Sequence, residues 1–268
     1  MRVFICADIE GSAGFAHIDE GTLNHPDYAY FREQMTREVS AACSGAIEAG
    51  AVDILVRDAH DSTRNIIPRC LPEIVRITRG SPGDIYAMMS GLQETAFDAA
   101  IMTGFHSGVS DGGSPVSHTF NRKTDYILLN GTPLSEFQFN AYTAAYLDVP
   151  VPFVSGDMSI CEYAKSLIPN ITTVVTQTGY GGATTSIHPD LAARYIKENV
   201  YKALTGDYKS CKAKLPESFT VEICFSRHQD AYFNSFYPGI VQCNSKVLRY
   251  VSNDWKDVLC MIHFVLDK

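Results

Sequence analysis

The stretch Arg2-Val3-Phe4-Ile5-Cys6-Ala7-Asp8-Ile9-Glu10-Gly11 sets the reading of the whole chain. Val3 to Ala7 are apolar, and Gly11 closes the run, the signature of a buried strand. Side chains two apart on a strand point to the same side. Asp8 and Glu10 are therefore expected together at a strand end, with no cation near them in sequence. Carboxylates that close repel unless a proton or a cation intervenes, so the pair invites a metal ion. Taken alone, an Asp8 that caps a turn and a solvated Glu10 is an equal alternative.

Working outward, the pattern repeats. Residues 11–28 lack periodicity and read as a long loop, of the kind that carries binding groups after a strand. Phe31, Met35, Val39, Ala42, Ala46 and Ala49 fall at helical spacing, with Gly50 as the stop. Val52 to Asp58 is a second strand, and strand, helix and strand make a βαβ unit with parallel strands. That strand runs into Asp58-Ala59-His60. A further apolar strand, Ala99 to Thr103, runs into Gly104-Phe105-His106. In open α/β sheets, ligands bind outside the carboxyl ends of the strands. Three strands ending in Asp/Glu, Asp/His and His strengthen the case for a metal.

The rest of the chain is read more coarsely. Ile74 to Ile77 reads as a short strand and Asp84 to Leu92 as a helix. The Gly- and Ser-rich stretch from Ser107 to Ser117 reads as a mobile loop that delivers His118. Tyr126 to Leu129 is a strand closed by Asn130-Gly131, a strong hairpin signal, and Ser135 is placed to cap a helix from Glu136 to Leu147. Val151 to Val154 and Thr172 to Val175 read as strands, His188 to Leu204 as a helix and Lys209 to Pro216 as a linker. Strands near 219–225 and 246–251 and a helix from Asn253 to Val265 follow. The expected fold is α/β: three layers, α/β/α, around a mostly parallel, mixed sheet with the metal site at its carboxyl ends. Residues 1–208 would form this metal-binding catalytic domain. Residues 209–268 would form a smaller α+β part, separate or packed into the same domain.

Composition narrows the function classes. The 268 residues are 46% hydrophobic and 19% charged, an ordinary globular balance. A net charge of −8 without a basic stripe argues against nucleic acid. No export signal is legible, and no window approaches the ~20 apolar residues of a membrane span. The eight cysteines are scattered and never spaced C-x-x-C, so they read as reduced thiols, and the expected compartment is the cytoplasm.

Of the eight histidines, His60, His106 and His118 carry the chemical case. His17, His25, His188 and His228 read as surface residues, and His263 as a histidine packed in the last helix. Histidines with carboxylates suit zinc, or manganese where oxygen donors dominate. Four or five such ligands match two metals sharing a bridging carboxylate better than one tetrahedral ion.

At this point the chain resembles the DppA-type D-aminopeptidases, a family of dinuclear zinc metallopeptidases. The pieces that carry the resemblance are Ala7-Asp8-Ile9-Glu10-Gly11, Asp58-Ala59-His60, Gly104-Phe105-His106, Ser117-His118, Asn130 to Glu136, Asn140-Ala141-Tyr142, and Val149-Pro150-Val151 leading to Gly156-Asp157. They stand in the family's order over residues 1–180, and the remainder follows in outline. The resemblance implies two Zn2+ per subunit, with Mn2+ as the substitute, held by Asp8, Glu10, His60, His106 and Glu136. It implies His118 as the catalytic residue, in the role of base, proton donor or nucleophile. Read from the residues alone, Glu136 is equally a first-turn acid set against the helix dipole. Asn140, one turn on, would orient Glu136, bind substrate or simply pack. The sequence departs from the family in a longer loop between His106 and His118, in Met158 after Asp157 and in Ser12 to His17. These departures bear on substrate choice.

The expected function is hydrolysis of the N-terminal amide of a short peptide or amino-acid amide, with D-residues such as D-Ala implied by the resemblance. So is a homo-oligomer, a decamer of two stacked pentamers. Two rivals stand beside it. One is a metal-dependent phosphoester hydrolase, for which Arg57 and Arg64 are the available phosphate-binding cations. The other is a non-catalytic peptide-binding, transport-associated protein.

Overall fold

The computed structural model describes residues 1–266. Its centre is a seven-stranded sheet made of β1 (Arg2–Ala7), β2 (Asp53–Asp58), β3 (Val75–Thr78), β4 (Ala99–Phe105), β7 (Phe153–Asp157), β8 (Thr172–Tyr180) and β9 (Ala183–Ser186). The order is β3-β2-β1-β4-β7-β8-β9. Every neighbouring pair is parallel except β8 with β9. The fold is thus the expected mostly parallel α/β sheet, with β1 in its interior.

Alternation along β1 assigns the two layers. Val3, Ile5 and Ala7 pack on one face with α1 (Tyr28–Glu48) and α4 (Pro189–Thr205). Phe4 and Cys6 pack on the other with α2 (Glu136–Tyr146) and α3 (Met158–Leu167). That second core is shared with a five-stranded antiparallel sheet ordered β11-β12-β10-β5-β6. Its strands come from the middle of the chain, β5 (Thr124–Leu129) and β6 (Thr132–Pro133), and from its last third, β10 (Phe219–Phe225), β11 (Val241–Gln242) and β12 (Val247–Ser252). The final helix, α6 (Trp255–Leu266), seats Trp255 among Phe139, Tyr142 and Phe219, and the indole N–H donates to Thr143 Oγ1 at 3.1 Å.

Some local expectations fail for identifiable reasons. Asp84 to Leu92 is not a helix but two short 3-10 turns, Ala87–Met89 and Leu92–Glu94, broken by positive φ at Ala87 and Gly91. Residues 11–28 hold a 3-10 turn, Ile18–Gly21, and the start of α1. Two helices went unread: α3, whose first turn is capped by Asp157, and the short α5 (His228–Asn234). Among the described residues no helix is long and apolar enough to cross a membrane.

Candidate metal centre

Three adjacent strand ends deliver the first four groups. Asp8 and Glu10 follow β1, His60 follows β2 and His106 follows β4, and β1 lies between the other two. The approach is close because Gly104 bends β4 with φ +72°, and a Cβ there would stand 2.2 Å from the Asp8 carbonyl oxygen. The Gly11 N–H then donates to Gly104 O at 2.8 Å, locking the loop after Glu10 to the end of β4. Glu136 arrives from the other layer. The β5–β6 hairpin turns the chain at Asn130-Gly131, Ser135 accepts from the Gln138 N–H as N-cap, and Glu136 is the first residue of α2. The Phe120 N–H donates to Glu136 Oε1 at 2.7 Å, which brings in the loop carrying His118.

The six side chains form one cluster. His60 Nδ1 lies 3.3 Å from Asp8 Oδ1 and 3.1 Å from Glu10 Oε2. His106 Nε2 lies 3.6 Å from Asp8 Oδ2 and 3.8 Å from Glu136 Oε1. His118 Nε2 lies 3.8 Å from Glu10 Oε1 and 3.7 Å from Glu136 Oε1. The His106 and His118 rings stack with centroids 4.3 Å apart. Donor atoms of Asp8, Glu10 and His60 lie within 4.8 Å of one another, as do those of Asp8, His106 and Glu136, and those of Glu10, His106 and His118. Asp8 belongs to two of these groups without His118, which is the arrangement of a bridging carboxylate.

The hydrogen bonds around the histidines test whether a metal fits. His60 Nε2, His106 Nδ1 and His118 Nδ1 each face a backbone carbonyl, of Gly21 at 3.0 Å, Ser107 at 2.9 Å and Val116 at 2.9 Å. A carbonyl only accepts, so each of those nitrogens carries the proton. In the neutral ring, the other nitrogen then turns a lone pair on the carboxylates, a repulsive meeting unless a cation lies between. Asp8 Oδ2, both oxygens of Glu10 and His106 Nε2 are buried without a hydrogen-bond partner, and the approach of His60 to Glu10 lacks hydrogen-bond geometry. Orphaned buried groups of this kind are rare in folded proteins. The residues fit a metal pair.

Electrostatics points the same way. Burial pushes the Asp8 carboxyl up, and Glu10 beside it adds to the shift. Burial also works against a charged Glu10, yet His60, His106 and His118 together hold it well below the ordinary range. Burial alone would lower the histidines. The surrounding carboxylates outweigh it, Glu10 and Asp8 at His60, and Glu136, Glu10 and Asp8 at His106, which is raised to about 9. Buried acids and imidazoles thus crowd charge that a dication would neutralise on binding.

Supports that the sequence reading passed over surround the cluster. Asp157 accepts from the Ser107 N–H at 2.6 Å and the Ser107 hydroxyl at 2.8 Å, fixing the residue whose carbonyl holds His106. Its position at the end of β7 was the available signal. Asp58 is no ligand: its oxygens accept from Asn65 and Ile66 and brace the loop after His60. The Gln177 side-chain N–H donates to Glu10 O at 2.9 Å. The Asn140 side-chain N–H donates to Met88 Sδ at 3.3 Å, a hydrogen bond directed away from Glu136. His263 lines the cavity over the cluster, whose volume is about 460 Å³. Arg57 lines it too, whereas Arg64 does not.

Comparison with known proteins converges on one group. Residues 1–264 match the family model of the M55 peptidases, described as D-aminopeptidase. A D-aminopeptidase of Bacillus subtilis (strain 168) is 31% identical over 246 residues, which is 89% of this chain and 86% of that protein. A solved structure from Bacillus subtilis, described as the Zn-dependent D-aminopeptidase DppA, a self-compartmentalizing protease, matches with a TM-score of 0.91. It is 25% identical, and the match covers 100% of this chain and 97% of that one.

Proposed function

The chain belongs to the M55 family of D-aminopeptidases, and we propose that it is a zinc-dependent aminopeptidase that releases N-terminal D-residues such as D-Ala from short peptides or amides. The observation that carries this reading is the double membership of Asp8 in two ligand groups. Asp8, Glu10 and His60 would hold one ion, and Asp8, His106 and Glu136 the other. Bound there, zinc supplies the Lewis-acid charge that activates water and polarises a scissile carbonyl.

The chain's own groups do the rest. His118 is the most open of the three histidines, its side chain 13% exposed against 8% for His60 and 1% for His106. Its Nδ1 proton is committed to Val116, so Nε2 is the atom free to take and return a proton. We assign it the role of proton acceptor from the attacking water and donor to the leaving amine, worth ~10²–10⁴ in rate. The buried carboxylates offer the charge that a free substrate amine needs, in keeping with an aminopeptidase. The test is zinc content and hydrolysis of D-alanyl peptides. Wild type is expected to bind zinc and turn over, His118→Ala to keep zinc and lose turnover, and Asp8→Ala to lose both. An active His118→Ala enzyme, or a folded wild type unable to bind zinc, would overturn the assignment.

We further propose a homo-oligomer, for which a decamer of two pentameric rings is the assembly to test by sedimentation. It is supported by the self-compartmentalizing relative and by the exposed Phe236 and Phe264 near α5 and on α6. The C-terminal strand β10 pairs with β5, which supports treating the two parts as one working unit. The free cysteines fit the cytoplasm.

A further inference from the structure

Arg57 is the buried cation that the reaction as described does not use. It precedes Asp58 on β2, is 2% exposed, and lines the same cavity as Asp8, Glu10 and Glu136. Its Nη1 donates to Gly80 O at 2.7 Å, and its Nε is buried with no acceptor. Among the described residues it forms no ion pair with a carboxylate. The two nearby acids are engaged elsewhere: Asp58 with Asn65 and Ile66, and Asp84 with the Tyr86 N–H and the Ser90 hydroxyl. Asp58 and Asp84 act on the guanidinium through space but neither bonds it, so its buried, unpaired edge is left open to an anion.

Geometry says which anion. With Nη1 taken, the free edge of Arg57 is Nε and Nη2. Arg76 in this chain uses that same edge to grip the Asp53 carboxylate, at 3.1 and 3.0 Å. A planar fork of this kind matches a carboxylate with two parallel hydrogen bonds. Arg57 shares its sheet face with Leu55, and Asp8 shares one with Phe4 and Cys6. Leu55, Phe4 and Cys6 pack in one core, so Arg57 and Asp8 lie on the same side of the sheet. Arg57 pairs with Cys6 in the β1–β2 register, two residues before Asp8. Strand rise and spacing then separate the two backbones by roughly 8 Å. At ~3.5 Å per residue, that leaves room for one or two residues beyond a scissile amide held at the metal centre.

We propose that Arg57 binds the free C-terminal carboxylate of the substrate and so sets the enzyme's preference for dipeptides and tripeptides with an unblocked C-terminus. The proposal rests on the aminopeptidase reading above. The amine end of such a zwitterion meets the acidic cluster and its carboxylate end meets Arg57.

The test compares D-alanyl-D-alanine with its C-terminal amide on zinc-loaded enzyme. Wild type is expected to favour the free acid. In Arg57→Met the ratio of kcat/KM, acid over amide, should fall about 10- to 100-fold, mainly through KM, and Arg57→Lys should restore part of it. The ratio is internal to each protein, so a general loss of stability does not move it. If both substrates slow equally, Arg57 only braces Gly80, and the proposal fails. It fails too if Arg122→Met, at the exposed mouth of the cavity, collapses the ratio and Arg57→Met does not. Calorimetric titration of the same two compounds into zinc-loaded His118→Ala protein, with and without Arg57→Met, repeats the comparison without turnover. Tighter binding of the acid, lost in Arg57→Met, supports the proposal, and equal binding overturns it. Absence of turnover with selective binding intact would sink the aminopeptidase reading alone.

Discussion

Glu38 offers a quantitative test of how the loop after Glu10 is held. It sits on α1, is 1% exposed, and accepts from the Ala13 N–H at 2.9 Å and from the Gln34 side chain at 2.7 Å. Its second oxygen is buried without a partner. Burial outweighs these hydrogen bonds and raises its pKa from 4.5 to about 7. A carboxyl raised on folding contributes stability that is present below the unfolded pKa and is lost as pH climbs through the folded one. Wild type should therefore weaken across this window, and Glu38→Gln, which does not titrate, should not. The full shift corresponds to about 3 kcal/mol. Linkage places about 2 kcal/mol of it between about pH 5.5 and about pH 8.5. Glutamine keeps an acceptor for Ala13, so the two proteins should be nearly matched at low pH. Urea unfolding of the zinc-loaded proteins at the two pH values measures the difference, and pH effects on the metal cancel between them. A stability difference that stays constant with pH, or grows as pH falls, would refute the reasoning.

Three other outcomes follow from the same geometry. Asp157→Asn should loosen Ser107 and with it His106, weakening zinc binding ~10- to 100-fold in a chelator competition, with unchanged affinity counting against the support role. Gly104→Ala must place a Cβ 2.2 Å from the Asp8 carbonyl at φ +72°, so it should cost more than about 3 kcal/mol in urea unfolding. A loss within about 1 kcal/mol would mean that the β4 bend is softer than described. Chelation should abolish hydrolysis and lower the unfolding temperature, and added zinc should restore both. A chelated protein as stable as the loaded one would argue against metals bridging these elements.

What was legible in the sequence was local. Val3 to Ala7, Val52 to Asp58 and Ala99 to Thr103 announce buried strands, and the polar residues just past them mark the functional edge of the sheet. Asp84 to Leu92 misleads because Ile85, Met88, Met89 and Leu92 are spaced much as a helix would space them. The backbone instead reverses at Ala87 and Gly91 and buries Met88, Met89 and Leu92 from short turns. The opposite error hides α3, where Asp157 ends a strand and caps a helix at once, its Oδ1 accepting from the Ile160 N–H at 2.8 Å. With no loop between the two elements, there is no composition break to read.

Glu136 and Arg57 show where local reading stops. Asp8, His60 and His106 follow β1 and the two strands that pair with it, so the sheet alone brings them together. Glu136 reaches them only because β5 pairs with β10, from almost a hundred residues later, and that sheet packs α2 against the first one. Its first-turn position would look the same on any capped helix. Arg57 stood out in the sequence only as one of two cations near the second strand end, since an Arg inside an apolar strand is equally an edge or a surface residue. Its role appears only when the partners of Asp58 and Asp84 are accounted for and none of them is Arg57. Of the proposed metal ligands, Asp8, Glu10, His60 and His106 follow strand ends and were open to inspection in the sequence, whereas Glu136 was not. The substrate's far end is assigned to a side chain whose buried guanidinium edge is left unpaired, which only the folded arrangement can reveal.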